Sequence, residues 1–297
     1  MNSSIDFTKN GAVYLSAPWN IQDVFNTPLF HTFVTILSLL LPLGAVLYIQ
    51  HDYKSFLSLG PGGTPSTPLG YAKIKLLSLI SLWDPLCPLP IPPHFRPQRG
   101  YLSPSSLPKR LGQRPIVRGI APQRQKSQVS PQAIYGKLVE SLKELTRDPS
   151  NDLLERTSCF EKHSSGLFAS TPITRTCGGE ICHAHPSDGS MHTSLHPADA
   201  KLVIEMGWGE RHPLAKGGWF RRFVPREFML VYAPRKEEEV EIVLRVVKAG
   251  VWWVSGVDVE RGGKDRRVQE VLRTKNESQC WGCRGQWKEM EKFVKDA

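Results

Sequence analysis

Between Asp23 and Asp52 the chain carries no Lys, Arg, Asp or Glu, and within that window residues 29–49 are almost entirely apolar. The run includes Phe33-Val34, Ile36-Leu37, Leu39-Leu40-Leu41 and Ala45-Val46-Leu47. About 20 such residues wound as a helix match the hydrocarbon thickness of a bilayer, where every backbone N–H and C=O must be paired within the segment itself. Pro42 and Gly44 would destabilise a soluble helix but are tolerated in a membrane helix. His31 and Tyr48 lie near the two ends, where amphipathic rings suit the interface. The run begins late, only Lys9 precedes it as a basic residue, and no A-x-A-like cleavage site follows. An uncleaved signal-anchor is therefore expected rather than a removed signal peptide; a buried helix of a soluble domain is the competing reading.

Charge sets the expected orientation. Lys54, Lys73, Lys75, Arg96 and Arg99 follow the run, whereas Lys9 stands against Asp6 and Asp23 before it. The positive side stays cytoplasmic. The expectation is a single-pass protein of the endoplasmic reticulum membrane with its C-terminal domain in the cytosol. The sequon Asn276-Glu277-Ser278 would then never meet the glycosylation machinery. The second apolar run, residues 76–83, is too short to span; it can lie in the interface as a short helix or pack on the domain. These features divide the chain into an N-terminal extramembrane segment (1–28), the transmembrane helix (29–49), a juxtamembrane and Pro-rich basic linker (50–130), a folded domain (131–256) and a charged tail (257–297).

The net charge of +10 favours acidic surfaces. Residues 85–139 contain no acidic group, and that stretch holds many of the cations among prolines such as Pro88, Pro90, Pro92, Pro93 and Pro97. Proline removes backbone donors and blocks helix, so extended chain is expected there. Basic residues beside an anchor are drawn to anionic lipid by about 1 kcal/mol per charge near the surface. Membrane lipid is thus the expected macromolecular partner. No recognisable nucleic-acid module accompanies the charge, so nucleic acid is not expected. Cys280 and Cys283 form a lone C-x-x-C, and Cys177 and Cys182 are spaced too widely for a second zinc knuckle, so plain reduced thiols are expected.

Regular structure is expected after Pro131, with Ser130 as cap and Ile134, Leu138, Leu142 and Leu145 at helical spacing until Asp148-Pro149. Residues 186–190 read as a turn and 191–195 as a short strand. A helix opens at Pro197 and stops at Gly207 in a left-handed conformation. Residues 228–232 read as strand, and 234–249 as the best helix, acidic at its start and followed by Gly250. The mixture predicts an α+β domain: a small, mostly antiparallel sheet with packed helices, preceded by the one N-terminal transmembrane helix.

His183 and His185 are two apart, which on a strand puts both imidazoles on one face. His192 follows on the next strand candidate, and His212 comes after a glycine bend. Four imidazoles with Asp188 can ligate iron or zinc, serve as general bases near neutrality, or be hydrogen-bonded structural groups. Arg211 and Arg235 suit an oxyanion, although Arg235 can equally pair with Glu237 to Glu239. Trp208 and Tyr232 can wall a pocket or belong to ordinary core.

Several stretches together resemble the fungal luciferase family. Asp52-Tyr53, Phe56-Leu57 and Gly60-Pro61 are similar to its juxtamembrane segment, and Gln123-Arg124-Gln125-Lys126-Ser127-Gln128 follows its linker spacing. His183, His185, Asp188, His192 and Asp199 fit its histidine block. The closest stretches are Gly207-Trp208-Gly209, Arg211-His212-Pro213-Leu214 and Tyr232-Ala233-Pro234-Arg235. The insert around Trp219-Phe220-Arg221-Arg222 departs from the family, and the tail lies outside the match. The resemblance implies a membrane-anchored oxygenase that takes 3-hydroxyhispidin, a 3-hydroxy-α-pyrone, with O2, releases CO2 and emits green light. It implies no metal or flavin, O2 being the co-substrate. On that basis His183, His185, His192, Arg211 and His212 are the expected catalytic residues. Asp188, Trp208, Tyr232 and Arg235 are expected to contact a hydroxypyrone or related phenolic substrate. The alternative is a dark relative, either a membrane-tethered binding module or an oxidase of another phenolic polyketide.

Overall fold

The computed structural model describes residue 22, residues 25–91, residue 93 and residues 96–265. Lys9, the sequon at Asn276 and the Cys280/Cys283 pair lie outside the described residues. The chain divides into two compact units, one ending at Ser55 and one beginning at Phe56.

The first unit is dominated by α1 (Pro28–Leu57), which continues into the second by its last two residues. Thr27 caps it, its Oγ1 accepting from the Phe30 N–H at 3.2 Å, and Pro42 sits inside it. The helix is long and apolar enough to cross a membrane by length and composition, with a mean hydropathy of 2.2 over its most apolar 18 residues, none of them buried. It runs past residue 49 through Asp52 and Lys54, so the helix is longer than its apolar part.

The second unit is α+β, as expected. A six-stranded sheet is formed by β3 (Leu153–Thr157), β4 (Ser165–Ala169), β5 (Glu180–Ala184), β6 (Met191–Ser194), β7 (Gly209–Arg211) and β8 (Phe228–Val231). Its order is β3-β4-β5-β6-β8-β7, every neighbouring pair antiparallel. Period-two alternation divides the sheet into two faces. Leu167, Cys182, Ala184, Met191, Met229 and Val231 point into the main core. There they meet α3 (Gln132–Arg147) and α5 (Glu237–Ser255), through Leu138, Val243, Val247 and Val251. Burial of this apolar surface stabilises the unit by about 25 cal/mol per Å² removed from water. The opposite face carries His183, His192, Phe168, Phe228 and Leu230.

Three local expectations are corrected. Ser130 does not cap α3: its hydroxyl donates to the Pro234 carbonyl, and Pro131 occupies the cap position without a side-chain bond. Helix α5 starts at Glu237, later than residue 234, and runs on to Ser255, because Trp252 and Trp253 extend its buried face. The Pro-rich stretch is extended, but it packs on the domain. The hairpin of β1 (Val117–Gly119) and β2 (Gln123–Gln125) and the fully buried Leu107 lie in it, and α2 (Pro68–Leu79) precedes it. Polar groups tie it down: Asp199 accepts from the Tyr101 and Leu102 N–H groups at 2.9 and 2.8 Å, and the Trp208 indole donates to the Pro108 carbonyl at 2.6 Å.

His196 opens α4 (Pro197–Glu205), where its Nδ1 accepts from the Ala198 N–H at 3.1 Å and its Nε2 lies 2.9 Å from the Pro97 carbonyl. Burial lowers its pKa to about 4 against the opposing pull of that carbonyl. The unfolded chain takes up a proton as pH falls through about 6.5, while the folded one resists until about 4. The neutral ring's stabilisation is therefore complete above about 6.5 and is lost as pH drops through that window, at about 1.4 kcal/mol per pH unit. Chemical denaturation of detergent-solubilised protein at pH 7, 6 and 5 should show this slope, and His196→Gln should remove about one histidine's share of it.

Candidate active site

Antiparallel register sets His183 of β5 directly opposite His192 of β6, and the ring centroids are 5.2 Å apart. The turn after β5 brings in the third ring. The His185 N–H donates to the Ser190 carbonyl and the Gly189 N–H to the His185 carbonyl, both at 2.8 Å. Gly189 adopts φ +77°, and a Cβ there would stand 2.3 Å from Ser130 Cβ, so only glycine closes the turn. His185 Nε2 and His183 Nε2 then lie 3.1 and 3.2 Å from His192 Nδ1. All three rings are at most 4% exposed.

Each outer nitrogen has its own partner. His183 Nδ1 is 2.6 Å from Glu180 Oε1. That carboxylate also accepts from Ser158 Oγ at 2.6 Å and the Cys159 N–H at 2.7 Å. His185 Nδ1 is 2.9 Å from Ser190 Oγ, whose own proton goes to Asp188 Oδ1 at 2.7 Å. His192 Nε2 is 3.0 Å from Gln123 Oε1. The Gln123 amide is oriented by its other end, which donates to Glu210 at 3.2 Å. Gln123 arrives on β2, and buried Arg124 holds that hairpin by pairing with Glu161 and donating to the Pro61 carbonyl at 2.7 Å. Burial first, then the neighbouring His185, holds the His192 pKa well below the usual imidazole range. His185 is lowered likewise, by burial and then by Arg124. Both rings are neutral at pH 7.

His183 and His192 open onto a cavity of about 550 Å³, within the range of about 300–1,000 Å³ usual for small-molecule sites. Phe160, Phe228, Ile120, Leu77 and Trp219 make its wall apolar, and Lys73, Lys162 and Arg222 give it positive charge. His192 stacks on Phe228 with centroids 5.0 Å apart. Burial first, then Lys162, lowers the Lys73 pKa.

The anticipated residues divide into those the fold brings together and those it uses elsewhere. His183, His185 and His192 converge, with Asp188 behind them as the anchor of Ser190. His212 lines the cavity, but both its nitrogens are engaged: Nε2 with the Ile120 carbonyl at 2.9 Å and Nδ1 with the Leu214 N–H at 3.1 Å. Burial takes its pKa down to about 3. Arg211 is away from the cavity wall, donating to the carbonyls of Cys87 and Ala215. Arg235 pairs with Glu239, the ion-pair alternative open from sequence. Trp208 is buried in the main core beside Arg110. Tyr232 donates to Glu210 at 2.9 Å, and so reaches the site only through Gln123. Lys73, Gln123, Phe160, Glu180, Arg222 and Phe228 were not legible as site residues. Gln123 lay in a motif that the family spacing had marked.

Glu180→Ala removes the shared acceptor of three buried donors. Leaving such groups unpaired costs about 1–3 kcal/mol each, so a loss of roughly 3 kcal/mol is expected after partial rearrangement. Denaturant unfolding checks it, and a loss under 1 kcal/mol would show that these bonds do not hold the site.

The Luciferase domain family model matches residues 178–250, the segment from the start of β5 into α5. A luciferase of Armillaria gallica is 31% identical over 231 residues, covering 70% of this chain and 82% of that protein. A luciferase of Armillaria mellea is 32% identical over 234 residues, with coverage of 70% and 82%. That of Neonothopanus nambi is 32% identical over 226 residues, with coverage of 70% and 81%. No solved structure matches. The histidine block and its strap of β2 thus sit in a chain similar to these proteins over most of their length, and the chain belongs to the fungal luciferase family.

Proposed function

We propose that this chain is a membrane-anchored oxygenase of the fungal luciferase type, which oxidises a 3-hydroxypyrone of the 3-hydroxyhispidin kind with O2 and releases CO2 and light. The observation that carries the reading is the apolar cavity with the imidazoles of His183 and His192 in its wall and three cations around it. An electron-rich planar acid fits such a space: the rings of Phe160 and Phe228 take its faces, and the cations favour its ionised form.

In the proposed reaction a cluster nitrogen, best that of His192, takes the enol proton. The enolate passes one electron to O2, and the resulting carbon radical and superoxide join as a peroxide. Attack of the peroxide on the lactone carbonyl closes an endoperoxide. Loss of CO2 then breaks the O–O bond and leaves the oxidised product in its excited state. The protein's share is the base, the charge of Lys73 and Arg222 beside the enolate, and exclusion of water by the aromatic wall. No flavin is needed for this sequence. Helix α1 supplies the anchor in this reading, with the second unit on the cytosolic side of the endoplasmic reticulum and its basic residues against anionic lipid.

One observation favours a second reading. Trp219 and Arg222 belong to the insert that departs from the family, and both line the cavity. A pocket so altered suits a different phenolic polyketide, oxidised without light.

Detergent-solubilised protein given 3-hydroxyhispidin in air should consume O2 and emit photons. His192→Ala should lower the rate of uptake by roughly 100-fold or more, the scale of a lost general base. Arg222→Met should act mainly on KM. No uptake by the parent protein would sink the oxygenase reading, and uptake without photons would select the second one. Protease added outside sealed microsomes should digest the second unit; protection would reverse the orientation.

A further inference from the structure

Three imidazole nitrogens face one another inside this protein, and among the described residues no other group bonds to them. A neutral imidazole has one N–H and one acceptor nitrogen. Glu180 takes the N–H of His183 at Nδ1. Ser190 Oγ has given its proton to Asp188, so it accepts the N–H of His185 at Nδ1. Gln123 presents its oxygen to His192 Nε2 because its amide nitrogen is turned to Glu210. On rings that carry one proton each, the inner atoms, His183 Nε2, His185 Nε2 and His192 Nδ1, are then all acceptors, and the three residues' ligand atoms lie within 4.8 Å of one another.

We infer that these three histidines bind a divalent first-row transition metal ion. Acceptor nitrogens 3.1 and 3.2 Å apart repel each other when desolvated. A cation among them turns that repulsion into bonding. Metal–nitrogen bonds to imidazole are about 2.0–2.1 Å, and at that length a 3.1–3.2 Å separation subtends roughly 95–105°, between the octahedral and tetrahedral angles. The outer partners match what ligating histidines normally carry: a carboxylate on His183, a hydroxyl backed by a carboxylate on His185, and an amide oxygen on His192. His212 is not a fourth ligand, since the Ile120 carbonyl and Leu214 N–H occupy both its nitrogens.

Two of the ligand residues, His183 and His192, line the cavity, whereas His185 lies behind them. The remaining coordination positions of the ion therefore open toward the cavity, where an enolate oxygen of the proposed substrate would meet it. The ion would serve there as a Lewis acid that holds the ionised ring in place of a free His192 nitrogen, the enol proton then leaving to solvent. This role rests on the proposed oxygenase reading; the binding of the ion does not. The family resemblance implies metal-free chemistry, and the two expectations disagree on one measurable quantity, the metal content.

The test uses the full chain in detergent. Protein purified without chelator should carry about one equivalent of a first-row metal by elemental analysis. After removal of that metal, titration with Co(II) should give d–d absorption bands that saturate at one equivalent per chain and are displaced by Zn(II). His185→Gln, which leaves the cavity wall intact, should weaken Co(II) binding at least 100-fold while circular dichroism stays that of the parent. If the variant does not fold, the titration of the parent chain still decides. A folded parent chain that binds none of Co(II), Zn(II), Fe(II) or Mn(II) at micromolar concentration overturns the site and leaves a proton shared among the rings in its place. O2 uptake is read separately. Metal binding without uptake keeps the site and sinks the oxygenase reading. Full uptake by the metal-free chain sinks the ion's part in turnover and leaves the oxygenase reading standing.

Discussion

An imidazole taken out of water must place both of its nitrogens, and this fold takes three rings out of water side by side. Because the inner nitrogens face each other, the outer ones dictate what surrounds them. Glu180, three residues before His183, has to be brought to the same face by the bulge in the β4–β5 pairing, Ser190 has to close the turn under His185, and an acceptor has to reach His192 from outside the sheet. The last condition draws the β1–β2 hairpin across the face of the sheet that the helices leave free. Once Gln123 is there, Arg124 beside it needs Glu161, and the loop after β3 is fixed as well. One polar cluster thus couples residues 69 apart in sequence.

The segment that carries Gln123 is rich in proline and poor in backbone hydrogen bonds, yet it behaves as part of the domain. It is held less by strand pairing than by single anchors: the Asp199 carboxylate on the N–H groups of Tyr101 and Leu102, the indole of Trp208 on the Pro108 carbonyl, and Leu107 in the core. Such anchoring needs no periodic pattern, and so it allows a chain of basic and rigid residues to be ordered with one short hairpin as its regular structure among the described residues 96–125.

That difference explains what could be read in advance. The long apolar helix, the α+β class, the helices near residues 132, 197 and 237 and the strand at Phe228 all announce themselves by periodicity or capping, which are local properties. The convergence of His183, His185 and His192 follows from strand alternation plus one turn, and was legible for the same reason. The roles of Arg211, Trp208 and Tyr232 were not. Their residue types suit an anionic aromatic ligand, but partners such as the Cys87 carbonyl for Arg211, the Pro108 carbonyl for Trp208 and Glu210 for Tyr232 come from elsewhere in the fold. Nothing local distinguishes a guanidinium that caps carbonyls from one that meets a substrate. Glu180 and Gln123 were missed for the converse reason, since a single Glu or Gln carries no pattern until the register of two strands is known.

Helix α2 has three kinds of surface within twelve residues. Gly70 and Ile74 are buried against the unit, while Lys73 and Leu77 lie in the cavity wall. The adjoining side leaves Leu69, Leu76 and Leu79 in solvent, with 64%, 67% and 80% of their surface exposed. Any amphiphile that wets those leucines therefore bears on the same rigid rod that positions an ammonium group in the cavity. Detergent chosen for extraction is in this sense a reagent of the assay as well as a solvent for it, and turnover compared between micelles of different chain length reports on α2 as much as on the chemistry.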